Sequence, residues 1–161
     1  MVTVQDNIDN IKSLVELALK DLFEKDSYLF CVDANERSLT HKLAVYLAAY
    51  FPDYDVDCEY NRDGAVPKRL LACKQSIESD DTNAITVYPD IIIHKRGPAK
   101  DGSNFVVIEA KKRGLPVDFD RGKLQAYKQN ANLQYAHAFL ITLPVGESVR
   151  GREAATYIES V

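Results

Sequence analysis

The sequence predicts an α/β chain, a central mixed β-sheet with helices on both of its faces. Three observations predict it. Amphipathic helical periodicity fills the N-terminal third and returns from about Asp118 to Asn132. Short alternating or β-branched runs lie between these helical segments and after the last of them. Two runs, Ile91-Ile92-Ile93 and Phe105-Val106-Val107-Ile108, flank a stretch with two glycines and a proline, as antiparallel strands joined by a turn do.

A chain of 161 residues is the size of one domain with room for a core, so 1–161 reads as a single unit. Its 46% apolar and 27% charged content is that of a globular chain, which excludes a disordered one. No apolar run reaches the length of a membrane span. The opening MVTVQDNIDN lacks the basic, then apolar pattern of a signal peptide, so a cytoplasmic protein with no membrane partner is expected. Cys31, Cys58 and Cys73 are odd in number and show no C-x-x-C spacing. They read as reduced, buried thiols, not as a disulfide framework or a zinc site. His41, His94 and His137 are scattered likewise. The net charge of −4 leaves only a local basic surface for any polyanionic partner.

The first helix is expected from Asp6 to Lys25, where Ile8, Ile11, Val15, Ala18 and Leu22 keep the helical rhythm and Leu14, Leu19 and Phe23 widen the stripe. Asp6 or Asn7 caps its start. Ser27 to Asn35 is turn-like. A second helix runs from about Asn35 to Tyr50 and stops before Phe51-Pro52. Its apolar stripe of Leu39, Leu43, Leu47 and Tyr50 puts Glu36 on or beside the buried-facing side of the first turn. Asp33-Ala34-Asn35-Glu36 also fits a capping box, with Glu36 at the third helical position. Arg37 and His41 fall on the flank, as surface groups or phosphate contacts.

Tyr54 to Tyr60 alternates and reads as the first strand, with Val56 and Cys58 on one face and Asp55, Asp57 and Glu59 on the other. That acidic face is solvated unless it turns toward the hairpin. Asn61-Arg62-Asp63-Gly64 is a turn. Lys68, Arg69 and Lys74, among Leu70, Leu71 and Ile77, are expected on a short helix after Pro67, and Ser79 to Asn83 is a loop. These basic residues form either a solvated face or an edge that tracks phosphates. Past the hairpin, Gly114-Leu115-Pro116 breaks the strand, and Asp118 or Asp120 caps a helix running to about Asn132. On it Lys123 and Tyr127, four apart, share one face. Ala136 to Leu143 is a buried strand closed by Pro144, and a terminal helix is expected from about Gly151 to Ile158. A meander followed by a helical crossover lets that strand lie parallel to a neighbour.

The hairpin carries the chemistry. Centring its turn near Lys100 puts Asp90 opposite Glu109, with Cα atoms roughly 4.5 to 5.5 Å apart. Strand period two then sends Lys111 to the face of Glu109, and Ala110 and Lys112 to the other. Two carboxylates so close repel, and each raises the pKa of the other unless a cation intervenes. Mg²⁺ relieves this through one or two carboxylates while keeping waters and phosphate oxygens. A neighbouring lysine can orient a water or stabilise charge on a phosphoryl group. The alternative is two charged strand ends, since E-x-K alone is common.

Pro89-Asp90, eighteen residues, then Glu109-Ala110-Lys111 resembles the signature of the PD-(D/E)XK nuclease superfamily. The order helix, three strands, helix, strand from about 36 to 143 is similar to that superfamily's core and covers two-thirds of the chain. The resemblance implies a restriction-endonuclease-like α/β/α sandwich of core order αβββαβ, with an extra N-terminal helix. It implies a Mg²⁺-dependent nuclease, with Mn²⁺ able to substitute, that hydrolyses phosphodiester bonds of nucleic acid, DNA being the favoured substrate. Asp90 and Glu109 would hold the metal and Lys111 would be the catalytic cation. Glu36 joins them because many members carry a glutamate on the helix preceding the sheet. Lys112 and Arg113, the densest positive cluster, would meet the substrate. Lys123 and Tyr127 match a polar or basic residue and a tyrosine that many members place after E-x-K, although the exonuclease-like branch often has glutamine at the position of Lys123. Many members act as homodimers or inside larger complexes. The rival reading is a non-catalytic nucleic-acid-binding or protein-interaction module that retains the fold.

Overall fold

The computed structural model describes residues 7–60, 62–63, 66–67, 69–71, 84–86, 88–98, 102–146, 149 and 157–161. Helix α1 (Ile8–Lys25) starts after Asn7, whose side chain accepts a 3.2 Å hydrogen bond from the Asp9 amide. It buries Ile11, Val15, Ala18, Leu19 and Leu22 along one stripe. Ser27–Cys31, expected as part of a turn, forms a short helix, α2. Packing decides this: Phe30 is fully buried and stacks on Phe23, their ring centroids 4.2 Å apart. Helix α3 (Glu36–Tyr50) follows, capped by Asn35, which accepts from the Ser38 amide at 2.8 Å. With Asn35 as the cap, Glu36 is the first helical residue, so the capping box with Glu36 at the third position does not form.

Strand β1 (Asp55–Cys58) is shorter than the expected Tyr54 to Tyr60 run. Two small antiparallel pairs come next: β2 (Arg62–Asp63) with β3 (Val66–Pro67), and β4 (Arg69–Leu71) with β5 (Ala84–Thr86). Both are corrections. Arg62 and Asp63, expected in a turn, lie in a ladder, and Arg69-Leu70-Leu71 is a strand instead of a helix because Ala84-Ile85-Thr86 pairs with it. The remaining residues of that expected helix, with the Ser79 to Asn83 loop, lie outside the described residues.

The principal sheet is open, mixed and five-stranded, in the order β1, β6 (Ile91–His94), β7 (Asn104–Lys112), β8 (His137–Leu143) and β9 (Tyr157–Ser160). Neighbours are antiparallel except β7 and β8, which run parallel across helix α4 (Asp118–Gln129). The crossover thus produces the expected parallel strand. The residue before α4 is Val117, so neither Asp118 nor Asp120 caps it, and the helix ends at Gln129, short of Asn132. Strand β9 replaces the expected terminal helix over Tyr157 and Ile158; 151–156 lie outside the described residues.

β7 is the spine, buried from Asn104 to Ala110. Its Val106, Ile108 and Ala110 join Ile91 and Ile93 against residues of α1 and α3, while Val107 joins Ile92 against Leu124 and Tyr127 of α4. Helices therefore cover both faces, and the described residues form an α/β fold with four helices. None of the helices is long and apolar enough to cross a membrane. The expectation of buried thiols is corrected at Cys58, which is exposed at the end of edge strand β1, and at Cys31, which is half-buried. Cys73 lies outside the described residues.

Candidate active site

The site sits where β6 and β7 meet, on the α4 side of the sheet. Ile91 pairs with Ile108, so the next step of the ladder sets Asp90 against Glu109. The apolar run makes this register: every alternate residue must enter one of two cores, and a slip by one would reverse all of them. Asp90 is pinned twice. Its carboxylate accepts from the Ala110 amide at 2.8 Å, and its carbonyl accepts from the Glu59 amide at 3.2 Å. Asp90 is half-buried, and Glu109, beside it, is only 2% exposed.

Burial governs the protonation of this pair. Desolvation, then the charge of Asp90, pushes the Glu109 carboxyl up to about 8, although Lys123 opposes the shift. Desolvation likewise raises Asp90 above the usual carboxylate value, outweighing the Ala110 amide and Lys123. Burial therefore disfavours negative charge on this pair, whose two carboxyls titrate together. Lys123, one turn into α4, meets that charge: its Nζ lies 2.8 Å from Glu109 Oε1 and 3.5 Å from the Tyr88 carbonyl oxygen.

Lys111 follows on the same face of β7, with Nζ 3.9 Å from Glu36 Oε1 and 3.7 Å from Asp120 Oδ2. Glu36 arrives from the N-terminus of α3, and its Oε2 accepts from the Lys112 amide at 2.9 Å. That bond fastens the first turn of α3 to the end of β7. Lys112 alternates to the other side, where its Nζ lies 2.7 Å from Asp33 Oδ1. The exposed Arg113 continues the ladder, its amide donating to the Leu143 carbonyl at 2.7 Å. Tyr127 is fully buried beneath the pair, and its hydroxyl has no hydrogen-bond partner among the described residues. Burial, then Glu109, raises its pKa.

The structure therefore brings together Asp90, Glu109, Lys111, Glu36, Lys123 and Tyr127. It directs the Lys112 ammonium away from them. Asp120 is the residue that the sequence reading missed as a site group, having been given only a capping role. A signal was present: Asp120, Lys123, Leu124 and Tyr127 share helical spacing, and a carboxylate on that stripe cannot simply be solvated. Asp57 stays out of the site. It accepts from His94 at 2.8 Å and from Arg96 Nε at 2.8 Å; burial raises its pKa, but these bonds outweigh burial and hold it below its usual value. Glu59 adopts a positive φ of 50° and pairs with Arg37 at 3.1 Å.

No group of three or more His, Cys, Asp or Glu side chains is set to hold a metal ion among the described residues. Two carboxylates nevertheless suit Mg²⁺, which fills its shell with waters and substrate oxygens. The donors at Asp90 and Glu109 are hard oxygens whose mutual repulsion a cation relieves. Glu109 Oε1 and the Tyr127 hydroxyl beside it are buried polar atoms without a hydrogen-bond partner among the described residues, which water or an ion would satisfy. The residues fit the group. Fold and site together define an α/β protein with a buried and a half-buried carboxylate at the end of its central strands and two lysines beside them. Comparisons with protein-family models, curated proteins and solved structures find no match to the chain.

Proposed function

We propose that the chain is a metal-dependent nuclease of the PD-(D/E)XK type, with the restriction-endonuclease-like fold, hydrolysing phosphodiester bonds of nucleic acid, DNA first among them. One observation carries the reading: Asp90 stands opposite Glu109 on the β6–β7 hairpin, and Lys111 follows on the same face. Asp90 and Glu109 are the residues to hold Mg²⁺ or Mn²⁺. The metal, when bound, supplies an acidified water and neutralises charge on phosphoryl oxygens.

The chain's own groups do the rest. Lys111, held between Glu36 and Asp120 on the Glu109 face of β7, is the group to orient a water and stabilise the charge that grows on the phosphoryl oxygens. Glu36 serves through this lysine, and by tying α3 to β7 it keeps the site's geometry. Losing one such preorganised donor costs about 10² to 10³ in rate.

The test is cleavage of supercoiled, linear and single-stranded DNA and of RNA, with and without Mg²⁺ or Mn²⁺. Lys111→Ala is to retain the metal-dependent rise in melting temperature and lose cleavage by about 10²-fold or more. Lys112→Ala, whose ammonium lies with Asp33, is to cleave as the wild type does. Equal cleavage by both variants would falsify the role of Lys111. A non-catalytic module of the same fold is the second reading, favoured by the pairing of the site's carboxylates with Lys111 and Lys123. Wild type that binds nucleic acid but cuts no substrate under either metal establishes it.

A further inference from the structure

Resting on the metal-dependent reading above, we propose that Lys123 stands in the metal-free protein in the place of the divalent cation, and that its ammonium leaves Glu109 when the cation enters. Three observations carry this. Lys123 Nζ lies 2.8 Å from Glu109 Oε1, and Glu109 is almost closed to solvent, so the ammonium occupies the donor that a cation needs. Lys111, the other ammonium, is held elsewhere, between Glu36 and Asp120. The Lys123 ammonium also already donates to the Tyr88 carbonyl oxygen, 3.5 Å away on a residue that is 55% exposed, so it keeps a partner when it gives up Glu109. The flexible four-carbon stem of a lysine lets the ammonium draw toward that oxygen.

The consequence is competition. A divalent cation and Lys123 claim the same carboxylate, so a cation arriving alone must displace an ammonium from a buried partner. A phosphate-bearing substrate changes the balance, because its anionic oxygens accept the displaced ammonium at the mouth of the site. Metal and substrate then favour one another's binding, and the coupling is reciprocal by linkage. Lys123 is a positioning residue in this scheme: it sets when the metal is held.

The experiment is a Mn²⁺ titration, by calorimetry and by thermal melts, of the full chain as wild type, Lys123→Met and Lys111→Met. Removing the competing ion pair is to tighten Mn²⁺ binding by about tenfold or more in Lys123→Met. Lys111→Met, which removes an equal charge from a more open pair, is to stay within about twofold of wild type. Binding by Lys123→Met that is no tighter than wild type overturns the proposal. So does an equal gain in both variants, which would reflect lost positive charge alone. Lys123→Gln repeats the comparison should the methionine variant fail to fold. A short phosphorothioate DNA duplex is to tighten Mn²⁺ binding in wild type and to do so less in Lys123→Met; an equal gain in the two removes Lys123 from the coupling. Absence of Mn²⁺ binding in wild type and in every variant overturns the metal reading itself, a result distinct from failure of the lysine's role alone.

Discussion

Replacing Glu109 by glutamine changes how the metal-free protein responds to pH, and the structure sets the sign and size of the change. The Glu109 carboxyl has an ordinary value of 4.5 and is pushed up to about 8 in the folded chain, by burial first and by Asp90 second. Between those two values the unfolded chain has lost this proton while the folded chain keeps it. Stability from the group is therefore complete below 4.5 and is lost progressively as pH rises toward 8. Each unit of pH in that window costs about 1.4 kcal/mol, so the wild type loses about 3 kcal/mol between pH 5 and pH 7. Glutamine holds no titrating proton and is nearly the same shape, so the variant lacks this slope. Urea denaturation of both proteins in EDTA, at pH 5, 6, 7 and 8, reads the difference directly. The glutamine variant is to gain on the wild type by about 3 kcal/mol from pH 5 to 7, equivalent to about 6 to 12 °C in melting temperature for a chain of this size. Parallel pH profiles would refute the reasoning, because they would mean that Lys123 fully compensates the charge and that Glu109 is ionised in the folded state.

Three further variants have expected outcomes. Asp90→Asn keeps an oxygen for the Ala110 amide and removes a repelling charge, so its metal-free stability is to equal or exceed that of wild type. The same variant is to lose the Mn²⁺ stabilisation expected of wild type, about 2.7 kcal/mol at a hundredfold excess over Kd; an unchanged melting shift removes Asp90 from the ligand set. Tyr127→Phe deletes a buried hydroxyl that lacks a partner, so metal-free protein is to become about 1 kcal/mol more stable in urea, and a loss of stability instead would show that the hydroxyl is bonded. Asp57 is held below its ordinary 3.8 by Arg96 and His94 against the pull of burial, so its contribution is present above 3.8 and fades as pH falls through its lowered folded value. Asp57→Asn is accordingly to cost stability at pH 6 and progressively less in acid; a cost that does not shrink on acidification would place the effect in packing.

What the sequence by itself determined was the hairpin and the placing of Asp90 against Glu109. Ile91 to Ile93 and Phe105 to Ile108 are short runs whose residues must alternate between two cores, so their register, and with it the opposition of Asp90 and Glu109, follows from period two alone. The helices α1 and α3 were legible for a similar reason: their apolar stripes repeat within the segment itself. Other features depend on partners distant in the chain. Arg69 to Leu71 and Tyr157 to Ser160 have no strong period of their own and became strands because Ala84 to Thr86 and the open edge of β8 offered backbone hydrogen bonds. Only the tertiary structure decided that Glu36 is fastened to the Lys112 amide, that Asp120 and Glu36 bracket Lys111, and that Lys123 rests on Glu109. Spacing within a helix states which residues share a face. The carboxylate or ammonium that the face will meet is set by the crossover that lays α4 against β7, since a side chain's electrostatic partners are chosen by packing between elements.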